Sequence, residues 1–556
     1  MSVQKAPCPV SDTSTNVQET IEQHENEAET PGSPPRVSGH VFKNLSPFWH
    51  DRLVEGALIV SMALYYIVGN INLGKGYLFH LDPLFSLPFL LIFALLCWYR
   101  LNIALALLPL ALPYYLLQKT VFSHYAFSIT EIALGVCVLV FLLQLVFQHD
   151  RWHLTSLWRD LRAYLGPFAL PILVFLLAAA FSIVIAYDRH VALRAFREEV
   201  FDPLVYLLLV IFCLRTRRDI VRLLLALLAT AFVVALIGFV QYFVLKDLFA
   251  NVPALNESDR VHAMYGSANS IGLLFDYTLP IGFALILTKI RKNSLLESWW
   301  FRVILLAAYV PLLFVLYESQ SRGAWIAIAV ALLFVVAFSL PNRKALLISS
   351  LAFFVAVAAV ALLFHTRITS FVVDEHTSAS GISTLTKRLY LWQVALNMIH
   401  DSPWFGYGMD NWLCHFSRNT VCLTPHLYHY WGSVPGAYTI LQSEPDLSHP
   451  HNILLHVWVS MGVFGLLAFM SILILFYWLF ARIFTALQAS KVQQWTTLRW
   501  MTLGVGAALL AGLVQGMVDS SFLEQDLAFC FWMLVVALLV LRVLSNTSWR
   551  PRPSTH

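Results

Sequence analysis

From Val54 to Leu544 the chain is a succession of apolar runs, most about 20 residues long, separated by short polar breaks. A helix needs about 20 residues to cross the roughly 30 Å hydrocarbon core of a bilayer. Spans are expected at 54–72, 83–99, 101–117, 125–147, 165–187, 200–214, 219–245, 268–288, 301–317, 323–340, 346–365, 452–480, 500–518 and 527–544. The third and sixth are short, and two of the set could be re-entrant or interfacial. The expectation is an all-α integral membrane protein with 12–14 transmembrane helices.

The charge content agrees. Only 12% of the 556 residues are Asp, Glu, Lys or Arg, and mean hydropathy is +0.70. A soluble domain carries roughly 25% charged residues. A soluble globular protein, a disordered protein and a nucleic-acid binder with a basic face are all excluded. The net charge of +4 is too small to indicate a partner. Seven Cys make no disulfide scaffold. Only Cys414 and Cys422 share a polar segment, and a disulfide between them is permitted if that segment faces an oxidising compartment.

The chain divides into a tail (1–45), an N-terminal membrane bundle (46–365), a large loop (366–450), C-terminal membrane helices (451–545) and a short tail (546–556). Val17 to Pro35 is rich in Glu, Gln, Thr and Pro, and such a segment cannot bury enough apolar surface to fold. Cytoplasmic loops collect Lys and Arg. With the N-terminus inside and alternating spans, two thirds of the 36 Lys and Arg fall inside, including Arg215–Arg222 and Lys289–Arg302. Both termini are therefore expected in the cytoplasm and the large loop outside.

That loop runs for about 85 residues and is too aromatic to be disordered (Tyr390, Trp392, Trp404, Tyr407, Trp412, Tyr430 and Trp431 among others). Arg388 to His400 reads as an amphipathic helix, with Leu389, Trp392, Ala395, Leu396 and Ile399 on one face, suited to the membrane surface. Asp401-Ser-Pro ends it, and Gly406 and Gly408 make a turn beyond.

Ionisable groups at the membrane boundary are functional candidates by default. Arg260 precedes Gly266-Ser267 and an apolar run, where free N–H groups at a helix start favour an anion. It could equally be a snorkelling interfacial Arg. Arg322 opens a span and opposes the helix dipole, so Glu318 or a bound anion must compensate it. Arg388, beside Lys387, is either a headgroup-bound charge or part of a site. The densest cluster is Asp446-Leu-Ser-His-Pro-His-Asn-Ile-Leu-Leu-His456. His451 stands at a helix start, whose positive field keeps an imidazole neutral and able to act as a general base. His449 with His451 is a weak metal signal in the absence of nearby Cys or a clear carboxylate set. Asp519, with Glu524 and Asp526, could orient an Arg or His, or simply end a span. Asp276 and Glu131 are the ionisable groups inside spans, and would be the handles of a transporter of anions or lipid-linked oligosaccharide. Arginines recognise phosphate through bidentate, charge-assisted bonds, and no nucleotide-binding glycine loop is present.

The order of these pieces resembles the O-antigen ligase/polymerase superfamily of membrane glycosyltransferases. The likeness rests on Arg260…Gly-Ser-Ala-Asn269, Ser321-Arg-Gly-Ala-Trp325, Arg388-Leu-Tyr-Leu-Trp392, Pro403-Trp-Phe-Gly-Tyr-Gly-Met-Asp-Asn411, Ser448-His-Pro-His-Asn-Ile-Leu-Leu455, Gly462-Val-Phe-Gly465 and Val518-Asp-Ser-Ser-Phe522. It implies a polytopic GT-C-type architecture in the inner membrane. The implied reaction takes an undecaprenyl-diphosphate-linked glycan as donor, on the outer face, without nucleotide sugar, cofactor or metal. The acceptor would be a glycan, a lipid or a protein. By the same likeness Arg260, Arg322 and Arg388 would bind the diphosphate, with His449, Asn452 and Asp519 also in the substrate site. His451 would stand where the family's essential His stands. Where the family often has Asn-Pro-Asn, this chain has Ser267-Ala-Asn269, and Asn411 to Ser448, the stretch suited to choosing the acceptor, matches nothing diagnostic. A polymerase of the same superfamily would share the chemistry.

Overall fold

The computed structural model describes residues 47–70, 83–116, 118–121, 125–148, 153–245, 260–287, 298–339, 384–412, 425–443, 449–489 and 495–546. The 1–45 tail, the 346–365 span and the Cys414/Cys422 pair lie outside them. In chain order the longer elements are α1 (Pro47–Asn70), α2 (Leu87–Leu107), the two-stranded hairpin β1 (Lys119–Val121) and β2 (Tyr125–Phe127), α3 (Ile129–Phe147), α4 (Leu154–Leu165), α5 (Ala169–Ile185), α6 (Arg189–Ala195), α7 (Asp202–Cys213), α8 (Arg217–Val240), α9 (Ala268–Ile286), α10 (Trp299–Glu318) and α11 (Arg322–Ser339). After them come α12 (Thr384–Asp401), α13 (Pro425–Gly432), α14 (Ala437–Ser443), α15 (Ile453–Ala489), α16 (Trp495–Gly516) and α17 (Gln525–Leu544). The chain is an all-α integral membrane protein. Ten helices among the described residues are long and apolar enough to cross a bilayer.

Helix α17 explains the packing. It is apolar on every face, and such a helix must be surrounded. Every residue from Gln525 to Arg542 is buried. The rim helices do the reverse and show Leu91, Val146, Leu170, Ile304 and Ile474 outward. Apolar surface on that scale is suited to lipid, not water.

One of the ten candidate spans, Leu87–Tyr114, turns back on itself. Arg100 leaves helical geometry (φ −144°, ψ 64°). Lys119, beyond its far end, donates to Ser86 Oγ at 2.8 Å, while Tyr99 lies 3.0 Å from His50 near the start of α1. The two arms are therefore a helical hairpin with its tip at Arg100, matching the separate expectations of 83–99 and 101–117. That tip joins an ionic cluster in which Arg222 meets Asp51, Glu55 and Asp219. Arg215–Asp160 lies nearby, four residues before Asp219. These basic residues, assigned to one side by alternation, gather at one end of the bundle.

The opposite end is shaped by Gly462. It interrupts α15 with φ +68° and ψ −170°. A Cβ there would lie 2.1 Å from Trp404 O, so only glycine fits. The break exposes backbone groups that an intact helix would pair internally. The loop segment pairs them: Tyr407 N–H donates to Val459 O (2.7 Å), Gly408 N–H to Ser460 O (3.1 Å), and Val463 N–H to Pro403 O (3.0 Å). This stitch anchors the large loop to the bundle.

The loop has its own small core. Leu391, Val394, Ala395, Met398 and Ile399 of α12 bury against Trp412, Tyr430, Trp431, Val434, Ala437 and Ile440. Ala395 and Ile399 of the expected apolar face are part of this core, joined by Leu391, Val394 and Met398 from the flank beside it. Leu389 and Leu396 are about half exposed, whereas Leu391 and Met398 are enclosed. The 3.6-residue period marks the helix but not which of two apolar flanks meets the loop.

Candidate functional site

The site lies at the end of the bundle stitched by Gly462. His451 sits just ahead of α15 with φ +52°, an unusual conformation for a residue with a side chain. Three bonds hold it there. Its carbonyl accepts from Trp392 Nε1 (3.3 Å), its N–H donates to His449 Nδ1 (3.2 Å), and its ring Nδ1 lies 2.8 Å from Asp519 Oδ1. Asp519 Oδ1 also accepts from Ser520 N–H (2.9 Å). Ser520 Oγ lies 2.7 Å from His456 Nδ1, one turn further along α15. The connection from α16 to α17 is thereby fixed against the start of α15.

An ionised carboxylate only accepts hydrogen bonds. With Asp519 on Nδ1, the neutral His451 ring carries its proton there and leaves Nε2 as the basic nitrogen. Burial would push the Asp519 carboxyl up, but the His451 contact and the positive field of His449 and Arg388 outweigh it and hold it at about 2. Burial lowers His451 below the ordinary histidine value, and Asp519 only partly restores it. A neutral imidazole oriented by a permanent carboxylate is equipped to accept a proton.

Three arginines share this field. Arg260 donates from Nε to Ser319 O (2.8 Å) and from Nη2 to Asn269 Oδ1 (2.7 Å). Its backbone neighbour Val261 donates to Glu318 O (3.1 Å). It is thus pinned over the turn joining α10 to α11, where Arg322 begins the next helix. Burial depresses the Arg260 pKa, the Arg322 charge depresses it further, and Asp519 opposes both. Burial likewise depresses Arg388, with Asp519 acting the other way. Arginine remains cationic through such shifts. Residues from α9, α11, α12, α15 and the α16–α17 connection therefore meet around Asp519.

His449 is the second histidine of the cluster. Its ring lies 4.5 Å from that of His451, and its Nε2 is 3.6 Å from Glu524. Burial works against its charged form, but Glu524, Asp519 and Asp410 together raise its pKa. The two imidazoles are thus driven in opposite directions. One nitrogen each from His449 and His451, with an Asp519 oxygen, lie within 4.8 Å of one another, a donor set able to take a metal ion.

Asn452, expected in the substrate site, also caps a helix. Its Oδ1 accepts from Leu454 N–H (3.0 Å) and Leu455 N–H (3.1 Å), capping α15, and its Nδ2 donates to Met517 O (3.0 Å). A second ionic group lies at the same end. Arg197 pairs with Glu131 and Glu198 (both 2.8 Å), and Arg194 reaches Asp410 at 4.0 Å across 216 positions of chain. Of this group Glu131 is marked by the sequence, as an ionisable residue inside a span.

Residues 307–470 match the family described as O-antigen ligase. The match covers under a third of the chain and supports its place in the O-antigen ligase/polymerase superfamily. It contains Arg322, Arg388, His449, His451 and Asn452, while Arg260 and Asp519 lie outside it. A comparison with curated proteins finds no match.

Proposed function

We propose that this protein is a glycosyltransferase of the inner membrane, transferring a glycan from an undecaprenyl-diphosphate donor to an acceptor hydroxyl on the outer face. The observation that carries this reading is the His451–Asp519 pair placed in the field of Arg260, Arg322 and Arg388. The two halves suit two ends of one reaction. His451 Nε2 takes the acceptor O–H proton as the acceptor oxygen bonds to the anomeric carbon. The C1–O bond to the diphosphate breaks, and its electron pair leaves on the diphosphate oxygen. The arginines stabilise that developing charge in place, which is where electrostatic catalysis is strongest. No step needs a metal, and the His451–Asp519 contact is in use as a hydrogen bond. A polymerase would differ only in its acceptor.

The test is transfer by purified protein in proteoliposomes from a polyprenyl-diphosphate glycan to candidate acceptors, with and without a chelator. Glycosidic product that persists with chelator and falls in Arg322→Ala at low donor supports the reading. Flipping of the donor without product would replace it with a transporter.

A further inference from the structure

Two of the three metal-capable donors around His451 are already bare. His449 Nδ1 accepts the His451 N–H (3.2 Å), so it carries no proton of its own. The neutral His449 ring therefore holds its proton on Nε2, which faces Glu524 at 3.6 Å. A carboxylate on the far nitrogen is the usual setting of an imidazole that ligates a metal. Asp519 is ionised, its carboxyl held at about 2. The third donor is His451 Nδ1, 2.8 Å from Asp519 Oδ1. One nitrogen of each imidazole and one Asp519 oxygen lie within 4.8 Å of one another, and the two rings stand nearly perpendicular, 4.5 Å apart. The His451 side chain is 21% exposed, which gives a hydrated ion a way in.

Two imidazoles and one carboxylate suit a borderline ion such as Zn²⁺, with water completing a tetrahedron, whereas Mg²⁺ and Ca²⁺ prefer oxygen throughout. Transfer needs no such ion, but binding one has a definite consequence. A neutral imidazole carries one proton. When Nδ1 of His451 ligates the ion, that proton passes through water to Nε2. The ring stays neutral and no proton is released, yet the nitrogen that would receive the acceptor proton is now filled. The ion also takes the Asp519 oxygen that orients the ring.

We propose that His449, His451 and Asp519 form a reversible, inhibitory site for a divalent ion of the zinc class, which stops transfer by exchanging the tautomer of His451. The inhibition rests on the reading of His451 as the base, whereas the binding of the ion does not.

Its test uses the full chain, free of any affinity tag, in detergent, with Zn²⁺ and Co²⁺ alone as probes. One equivalent of Zn²⁺ per chain should be withdrawn from a chromophoric chelator, and Co²⁺ should give the visible absorption of a tetrahedral site. Both signals should vanish in His449→Gln, whose amide oxygen can still accept the His451 N–H, and in Asp519→Asn. They should survive His400→Asn combined with His429→Asn, which removes the exposed histidines beside Asp401. Signals that follow that exposed pair, or no uptake at all, would overturn the site. In proteoliposomes the same Zn²⁺ should lower transfer by about 10²-fold, the lower end of a general base's contribution, with recovery on chelation and no effect of Mg²⁺. It should not change the rate of His449→Gln relative to that variant's own metal-free rate. Zn²⁺ bound at these residues with transfer undiminished would overturn the inhibition. Absence of transfer with every donor would instead remove the glycosyltransferase reading, and the uptake measurement would still decide the site.

Discussion

The two ends of the bundle use arginine in opposite ways. At the hairpin end Arg222 meets three carboxylates, from Asp51, Glu55 and Asp219, and its charge is answered within the protein. At the other end Arg260 and Arg388 share the field of one carboxylate, Asp519, which is itself engaged by His451. Arg260 donates to neutral oxygens of Ser319 and Asn269. Burying cations costs free energy that a full set of partners offsets and a partial set does not. A saturated cluster holds helices together, whereas an arginine-rich one is organised for an anion that arrives. The comparison makes different demands on substitutions at each end.

The largest expected effect is at the site. His451→Ala should lower transfer by about 10³-fold, within the range for loss of a general base, and leave thermal unfolding in detergent unchanged. A rate near that of the unsubstituted protein would detach the histidine from the chemistry. Asp519→Asn comes next. An amide can hold the ring in the wrong tautomer, so the plateau rate should fall by about 10²-fold or more. The pH profile carries a second signature. Activity needs neutral His451, whose pKa lies below the ordinary value because burial outweighs Asp519. The rate should therefore fall as pH drops through a value below about 6.5 and be flat above it. Removing the Asp519 charge should move that limb further down. A limb that moves up in Asp519→Asn would contradict the electrostatics.

At the other end, Arg222→Ala leaves three carboxylates facing one another with their shared cation gone. Breaking a buried ion pair from one side costs about 3–5 kcal/mol. With the partners partly exposed, a loss of about 3 kcal/mol is expected, read as a lower unfolding temperature. Transfer per folded molecule should stay within about twofold. A variant equally stable but slow in transfer would erase the distinction between the two ends.

The membrane made much of this legible. A bilayer permits few backbone solutions, so each of the ten described helices long and apolar enough to cross it stands where an apolar run stands, and scarce charges made Arg260, Arg322, Arg388 and His451 visible as candidates. What stayed hidden depends on contacts between distant segments. The break at Gly462 is set by Trp404 and its neighbours, some 58 positions earlier. The pairing of His456 with Ser520 spans 64 positions, and that of Arg194 with Asp410 spans 216. The buried flank of α12 is chosen by Trp412 and Trp431, not by its own period.

Asn452 is the smallest and most discriminating case, because the family likeness places it in the substrate site. Its amide oxygen satisfies two N–H groups at the start of α15, and its nitrogen holds Met517 O. Loss of an N-cap side chain costs about 1 kcal/mol. Asn452→Ala should lower the unfolding temperature modestly and leave donor KM unchanged. Asn452→Ser, which keeps an accepting oxygen, should recover most of the stability. If KM rises in both variants while unfolding does not move, Asn452 belongs with the arginines and not with the framework that positions His451 beside them.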